Sequence, residues 1–360
     1  MENKIKASWM LYGATGYTGT LIAEEAVRRG HRPVLAGRNS EKLLALATRL
    51  KLEWVAFSLE DSDALSKAVA SVELLVHAAG CYAETCEKVM DACLMGMTHY
   101  LDISNEIFVL QAAQARHQIA KEKGISIIPG IGFGSIASNC LARYVCEQIS
   151  DPVSLEIIIS PYVSQKSAGA AKSTLETIAR GSYVRRNKVL VKIPFGSGAK
   201  CLHIDKGSHN VLPVPTGDLE AAYLATGIAD ITIYMTTAIN PILVRILMPL
   251  AQKLLSWDAF RQLVVGWIDN KSTPNIVQPV DPNRNSWLWA RVSDRQGNET
   301  TVILETGEGY TFTASASIKA MEWVLAKQPI GAHSPASVFG ANFVLQIEGA
   351  RWHSNIPVQA

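Results

Sequence analysis

The sequence predicts an α/β protein: a doubly wound parallel sheet, followed by a second α+β domain that carries a mixed, largely antiparallel sheet. The first prediction depends on short apolar runs that alternate with helical patterns from Ala7 to about residue 130. The second depends on a hairpin pattern, in which strand-like residues 287–293 and 300–305 flank the turn sequence DRQGN. We predict domains at residues 1–135, 136–315 and 316–360, and the last segment consists of helices that could return to the first domain.

A glycine-rich turn lies between the first predicted strand and the first predicted helix. Residues 11–19 are LYGATGYTG, after an apolar run and before helical spacing at 21–30. The glycines are spaced G-x-x-G-x-x-G, unlike the dinucleotide fingerprint G-x-G-x-x-G, so the strand–turn–helix context carries the prediction. In that fingerprint the glycines permit the turn, the approach of the pyrophosphate and close packing of the helix. The turn predicts a Rossmann-type dinucleotide site, and the alternative is a glycine turn without a ligand.

The end of the second predicted strand distinguishes NADP from NAD. Residues 32–39 are RPVLAGRN, so Arg38 and Asn39 stand where an acid would bind the ribose 2′-hydroxyl of NAD. An arginine at this place accommodates a 2′-phosphate. We therefore predict NADP (NADPH) as the cofactor, and Ser40 as the cap of the next helix. The alternative is that Arg38 is an ordinary surface residue.

Small and polar residues at the carboxyl ends of the predicted strands complete the cofactor site, because ligands bind at that edge of a parallel sheet. The predicted cofactor-binding residues are Gly13, Thr15, Gly16, Tyr17, Thr18, Gly19, Arg38, Asn39, Ser58, Ala78, Ala79, Gly80, Gly132 and Phe133.

Three residues are candidates for managing the proton that accompanies hydride transfer. Tyr100 and Asp102 lie two apart on the fifth predicted strand, so their side chains face one side of the sheet. Lys166 precedes a predicted helix at 167–181 and could reach an anionic group. Tyr162 and Lys166 also match the Tyr-x-x-x-Lys pattern of short-chain dehydrogenases, but Tyr162 follows a proline and an extended run, which disfavours the helix that this pattern needs. The alternative for Tyr100 is a buried tyrosine with a satisfied hydroxyl.

The remaining candidate groups, two histidines and possible metal ligands, are predicted to have no role in catalysis. His77 and His99 lie inside strand-like runs, which are usually packed. No histidine, cysteine or acidic cluster has metal-ligand spacing, so we predict no metal site.

Composition excludes some function classes. The chain has 360 residues, 48% of them hydrophobic, and a formal net charge of +2, which gives no general argument for nucleic acid binding. Scattered cysteines and the lack of an N-terminal signal pattern favour a cytoplasmic protein. Residues 228–255 are mostly apolar, but charged residues and prolines interrupt them. Buried or dimeric packing is favoured for this segment, while membrane association stays possible.

Four segments together resemble one family. They are YGATGYTG at 12–19, LAGR at 35–38, YLDISNE at 100–106 and GFGSIASN at 132–139. With them the chain resembles the saccharopine dehydrogenase-like oxidoreductases, including the trans-acting enoyl reductases, over about residues 7 to 180. The resemblance implies a two-domain NAD(P)-dependent reductase that forms a homodimer.

The chain also departs from that family. The family's loop usually has Asp, Pro and Asp where this chain has Gly134, Ala137 and Asn139, and usually has glycine where this chain has Asn105. Two carboxylates are therefore missing beside the expected site. These changes are compatible with cofactor binding, leave the substrate class open, and also admit a chain that binds NADP without turnover.

The predicted function is an NADP(H)-dependent oxidoreductase. It would reduce a C=C or C=N bond of a small or carrier-linked substrate bound between two domains. One alternative is an opine- or saccharopine-type amino-acid dehydrogenase. The other is an NADP-binding sensor or scaffold without turnover.

Overall fold

The computed structural model describes residues 7–163, 178–179, 181–204, 207–271, 281 and 284–354. Contacts divide the chain into two compact units. The first unit comprises Met1–Cys140 and Tyr310–Glu348, and the second comprises Leu141–Gly309 and Gly349–Ala360. Each unit is therefore built from two separate stretches of the chain.

The described part of the first unit contains a sheet of seven parallel strands. Numbered in chain order, they are β1 Ala7–Tyr12, β2 Val34–Gly37, β3 Trp54–Ala56, β4 Val72–His77, β5 His99–Asp102, β6 Ser126–Ile128 and β15 Gly331–Ala332. Their spatial order is β15-β6-β5-β4-β1-β2-β3. Because β2 and β4 both pair with β1, the order reverses there, and such a switch point is where doubly wound sheets bind ligands. The predicted fold class of this part is confirmed.

Helices connect these strands. They are α1 Tyr17–Arg28, α2 Ser40–Leu50, α3 Ser62–Ala70, α4 Tyr82–Gly96, α5 Ile107–Ala115, α6 His117–Lys123, α7 Phe133–Cys146, α11 Gly309–Lys327 and α12 Pro335–Phe339, followed by a 3₁₀ helix at Ala341–Gln346. Side-chain caps fix some of their starts, since Asp61 Oδ1 accepts the Ala64 N–H at 3.0 Å.

The strands of the first sheet are apolar because both of its faces are covered. Trp9, Met10 and Leu11 in β1, and Leu74 and Leu75 in β4, are at most 1% exposed. Parallel strands buried on both faces have continuous apolar sequences, in contrast to the alternating pattern of half-exposed strands. These buried strands hold their carboxyl ends in place, and the candidate site lies at that edge of the sheet.

The second unit contains a mixed sheet, and its predicted class is also confirmed. Its strands are β7 Pro152–Ser160, β8 Ser182–Arg186, β9 Val189–Ile193, β10 Lys200–Ile204, β11 Gly207–Pro213, β12 Asp230–Thr236, β13 Ser286–Asp294, β14 Glu299–Thr306 and β16 Arg351–Ser354. Its helices are α8 Asp218–Thr226, α9 Pro241–Leu255 and α10 Asp258–Lys271. Among these strands β7 and β12 pair in parallel, and the other pairs are antiparallel. β13 and β14 form the predicted hairpin.

Several local predictions are wrong. Asn39, and not Ser40, caps α2, because its Oδ1 accepts the Lys42 N–H at 2.9 Å. The aromatic and β-branched residues 310–313 favour a strand by local sequence, but they lie within α11, where a long helix overrides that propensity. The glycine-rich sequence at 131–135 favours a loop, but it becomes helical at Phe133. The sequence at 108–123 favours one helix, but it forms two helices that meet at Arg116, whose φ of −96° and ψ of 0° are not helical.

The apolar segment at 228–255 contains a strand and a helix. Its first part is β12, which lies between β11 and β7 in the second sheet, and only its later part is helical. Most of the helix predicted at 167–181 lies outside the described residues. Among the described helices, none has both the length and the apolar character needed to cross a bilayer.

Candidate cofactor site

The turn between β1 and α1 requires glycine at two positions. Gly13 has a φ of +86°, and a Cβ atom there would lie 2.8 Å from the backbone of Ala78 and Ala79, where β4 ends. A Cβ at Gly19 would come closer than 3.0 Å to the carbonyl oxygen of Gly13. The helix can therefore begin directly against the strand ends only because both side chains are absent.

The backbone of this turn is partly fixed by internal hydrogen bonds. The N–H groups of Gly13 and Ala14 donate to the Ala36 carbonyl at 2.8 and 3.2 Å, and the Gly16 N–H donates to the Gly13 carbonyl at 3.0 Å. Gly16 is the exposed N-cap of α1 and has no side chain to cap the helix. The first turn of a helix leaves N–H groups without an intrahelical acceptor, and no acid lies in this first turn. The helix start can therefore bind an anion.

Arg38 and Asn39 lie directly after β2 and are exposed. Asn39 uses its Oδ1 atom to cap α2, which fixes the backbone beside Arg38. Burial raises the pKa of the Tyr12 hydroxyl, and the charge of Arg38 opposes this shift, so the guanidinium lies near the end of β1. The structure thus brings a cation to the edge where the glycine turn lies.

The remaining predicted cofactor residues lie at the ends of neighbouring strands. The Ala78 N–H donates to the Tyr12 carbonyl at 2.8 Å, which holds the end of β4 beside the end of β1. Ala79 and Gly80 follow it and are half-buried and exposed, respectively. Ser58 lies two residues beyond β3, and its Oγ accepts the Glu60 N–H at 3.2 Å, so this hydroxyl organises its own turn.

Tyr100 and Asp102 form one buried hydrogen-bond network. The Tyr100 hydroxyl donates to Asp102 Oδ2 at 2.7 Å, and both residues are fully buried. Asp102 Oδ1 accepts the Ser104 N–H at 2.8 Å, the Ser104 hydroxyl at 2.6 Å and the Gly130 N–H at 3.0 Å. Burial raises the pKa of the Asp102 carboxyl, and its four donors oppose that rise. Asp102 therefore ties together the segments that follow β5 and β6.

His77 extends this network toward β4. Its Nδ1 lies 3.3 Å from the Tyr100 hydroxyl oxygen. Since the one proton of that hydroxyl goes to Asp102, Nδ1 carries a proton and donates to the oxygen, which leaves Nε2 with its lone pair. Nε2 is buried and has no hydrogen-bond partner in the described part of the chain. Burial lowers the pKa of His77 to about 4, so the ring is neutral at pH 7.

Gly132 and Phe133 lie after β6, beside residues that sequence reasoning missed. The Phe133 N–H donates to Thr313 Oγ1 at 3.0 Å, and the Phe133 ring packs edge-on against Phe312, with centroids 5.5 Å apart. Tyr310 packs in the same way against Tyr17 at 4.8 Å. The start of α11 thus reaches the starts of both α1 and α7, and nothing in the local sequence signalled this contact.

Asn105 was noted in the sequence only because the family usually has glycine at this position. A Cβ atom at Gly134 would come closer than 3.0 Å to the Asn105 amide nitrogen, and the Ser135 hydroxyl donates to Asn105 Oδ1 at 3.1 Å. The Asn105 side chain therefore occupies the space beside Gly134 where any other residue at 134 would project. An amide takes the place of the carboxylate that the resemblance led us to expect.

Two further candidates lie in the second unit. Lys166 is outside the described residues. Tyr162 is nearly buried, its hydroxyl accepts the Asp281 N–H at 3.0 Å, and it follows β7 in an extended segment. Tyr162 therefore does not lie on a helix, although the Tyr-x-x-x-Lys pattern of Tyr162 and Lys166 needs one.

The family comparison agrees with this geometry. Residues 9–128 match the family model of the saccharopine dehydrogenase NADP-binding domain. This stretch runs from β1 to β6 and includes the glycine turn and Arg38. The resemblance deduced from the sequence is confirmed, and NADP(H) is the cofactor of this domain.

Similar curated proteins align over part of their length. A trans-acting enoyl reductase of Mycobacterium tuberculosis is 31% identical over 138 residues, which are 36% of this chain and 33% of the relative. A bovine saccharopine dehydrogenase-like oxidoreductase is 31% identical over 150 residues, which are 36% of this chain and 35% of the relative. The chain thus spans less than half the length of the curated relatives it matches.

A solved structure extends the likeness to nearly the whole chain. Saccharopine dehydrogenase (L-Glu forming) from Saccharomyces cerevisiae superposes with a TM-score of 0.65 at 12% identity, covering 97% of this chain and 100% of the yeast chain. At this identity the match establishes the fold.

Proposed function

We propose that this chain, whose residues 9–128 belong to the saccharopine dehydrogenase NADP-binding family, is an NADPH-dependent reductase of a C=C or C=N bond. The bond would belong to a small or carrier-linked substrate. A C=C bond is favoured, because curated relatives at 31% identity are named trans-acting enoyl reductases.

The glycine turn carries this proposal. Gly13 and Gly19 have no room for a side chain, and together they bring the start of α1 against the ends of β1 and β4. A helix start without an acid in its first turn favours a bound phosphate. Ala78 and Ala79 directly follow β4, and their small uncharged side chains leave room for a planar group beside the backbone.

The chain's own residues would bind and orient the cofactor, which supplies the hydride when it is bound. Thr18 and Gly19 in the first turn of α1 would hold the pyrophosphate, and Arg38 the 2′-phosphate. Asp102 would act as a positioning residue, because it holds the segments that contain Ser104 and Gly130 and is itself fully buried.

A direct test measures cofactor binding and turnover separately. Calorimetric titration should give tighter binding of NADPH than of NADH. NADPH oxidation should then be followed at 340 nm with a 2-enoyl thioester, with an amino acid and 2-keto acid pair, and with no acceptor. Turnover of the thioester alone supports the C=C assignment, and turnover of the imine pair supports the opine-type alternative. Absence of binding to either nicotinamide cofactor contradicts the proposal.

One observation favours a second candidate function, an NADP-binding sensor or scaffold. The two predicted proton-handling residues that the structure describes, Tyr100 and Asp102, are fully buried, and the Tyr100 proton is committed to Asp102. Tight NADPH binding combined with no turnover on any of the three acceptor mixtures would support this candidate over the reductase.

A further inference from the structure

Helices α9 and α10 expose large apolar side chains on consecutive turns. On α9 the exposed residues are Ile242, Leu243, Ile246, Leu247, Leu250 and Leu254. Trp257 follows in the connecting turn, and Phe260, Leu263 and Trp267 continue along α10. These ten side chains, which we call the apolar face, are between 37% and 73% exposed.

The spacing places these residues on one side of each helix. Ile242, Ile246 and Leu250 are four residues apart on α9, and Phe260, Leu263 and Trp267 follow the i, i+3, i+7 pattern on α10. Single exposed hydrophobic residues are common, but contiguous patches beyond a few hundred Å² on a protein surface indicate an interaction site.

The opposite side of α9 is anchored within the second unit. Val244 and Leu255 are buried, the Arg245 guanidinium donates to the Ala199 carbonyl at 2.6 Å, and Gln252 Oε1 accepts the Phe195 N–H at 2.9 Å. The apolar face is therefore a surface held in place by the fold. Most of α9 is exposed in the single chain, and the dimeric packing that the sequence favours for this segment stays a prediction.

The charges around α9 are positive. The helix contains Arg245 and Lys253 and no acid. Lys253 is exposed and follows Leu250 by three residues and Ile246 by seven, so it lies on the side of the apolar face, whereas Arg245 is engaged on the anchored side. Helix α10 carries two acids and two bases, so it adds no net charge. Cations beside an apolar face complement an anionic lipid surface.

The aromatic residues agree with this assignment. Trp257 is 64% exposed at the turn between the helices, and Trp267 is exposed near the end of α10. Indole rings are enriched at the headgroup level of bilayers, where an apolar body and a polar N–H are both accommodated. Helices of 15 and 14 residues are too short to span a bilayer and would lie along its surface.

We propose that the apolar face of α9 and α10 docks on a membrane that contains anionic lipids, with both helices lying in the interface. This surface binding is independent of the reductase activity. It also differs from a self-association surface, which would bury the same residues without a requirement for lipid charge.

Vesicle flotation tests the proposal with the full chain. We expect it to float with vesicles of phosphatidylcholine mixed with phosphatidylglycerol, more weakly with phosphatidylcholine alone, and less as salt is added. The variant I246Q/L250Q should bind the mixed vesicles at least tenfold more weakly, because two aliphatic side chains that would be buried in the interface are replaced by polar ones. A matched control, L44Q/I119Q, makes the same changes at exposed positions of the first unit and should bind like the wild type.

Further measurements separate the outcomes. Circular dichroism should show that both double variants are folded, which is expected because all four positions are exposed. Brominated lipids should quench the wild type more than the variant W257F. The proposal is overturned if the wild type ignores mixed vesicles, or if light scattering shows a dimer that I246Q/L250Q dissociates while vesicle binding is unchanged.

Discussion

Arg38 is the residue whose charge should decide the choice of cofactor. It follows β2 directly, is exposed, and has the capped α2 start beside it. Charge-assisted hydrogen bonds contribute about 1.5–3 kcal/mol, so Arg38→Ala should weaken NADPH binding by about 10- to 100-fold and leave NADH binding nearly unchanged. Calorimetric titration of both cofactors measures this.

Arg49→Ala is the matched control for the Arg38 variant. Arg49 lies in the last turn of α2, is half exposed, and pairs with Glu24 on the surface. Its loss removes the same charge without touching the end of β2. An Arg38 variant that keeps its preference for NADPH would assign the phosphate contact to another residue.

Asp102 is the residue on which the segments after β5 and β6 depend. Its carboxylate accepts from Tyr100, Gly130 and both donors of Ser104. Asp102→Asn turns one acceptor oxygen into a donor, so we expect the free energy of unfolding to fall by about 2–4 kcal/mol. Tyr100→Phe removes one donor to Asp102 and the hydrogen-bond partner of His77 Nδ1, but leaves Asp102 its three other donors, and should cost about 1–2 kcal/mol. Urea unfolding of both variants measures the difference, and equal stability of wild type and Asp102→Asn would refute this role.

The packing of α1 on β1 is the element-scale feature that depends on Gly19. A Cβ there collides with the Gly13 carbonyl, which is backbone and cannot rotate away. Gly19→Ala should therefore displace the start of α1, lower the stability by about 1–3 kcal/mol and weaken NADPH binding more than tenfold. Gly266→Ala in α10 is the control, because a Cβ there meets nothing within 4 Å. Thermal unfolding and NADPH titration distinguish the two variants, and equal behaviour would show that α1 adapts to the methyl group.

The first sheet could be predicted from local sequence because its signals are local. The apolar run that begins at Ala7 and leads into the glycine turn is indeed the strand Ala7–Tyr12. The hairpin of β13 and β14 was equally clear from the turn at 294–298. The residues that mark the ends of these elements are close to them in the sequence, so local patterns are sufficient to predict them.

The contacts that could not be predicted join residues far apart in sequence. Thr313 receives the N–H of Phe133 across 180 residues, and β15 adds to the sheet beside β6 after an intervening unit. The sequence also suggested a catalytic pair at Tyr100 and Asp102, with a buried and satisfied tyrosine as the alternative for Tyr100, but it did not indicate that Asp102 would be fully buried as well. The apolar composition of residues 228–255 favoured buried or dimeric packing, whereas the exposure of α9 depends on which other groups cover it.

At the scale of the whole molecule, two buried groups should contribute to the response to acid in largely separate pH windows. Burial lowers the pKa of His77 from 6.5 to about 4, so the unfolded chain takes up a proton between these values that the folded chain does not. Stability is therefore full above pH 6.5 and falls as the pH drops toward 4, by about 3 kcal/mol in total. His77→Gln should flatten this window, while His203→Gln, at an exposed histidine, should not.

Glu305 acts in the second unit at lower pH. It lies on β14, and hydrogen bonds from Arg351 and His353 on β16, together with Asn285, hold its pKa at about 2, below the ordinary 4.5. Its stabilising contribution is thus present above pH 4.5 and is lost as the pH falls toward 2. Urea unfolding at a series of pH values should show a first loss of stability that is smaller in His77→Gln than in the wild type, and a second that is smaller in Glu305→Gln. If one variant removed both losses, the two units would not titrate independently, and the acid response could not be assigned to these separate residues.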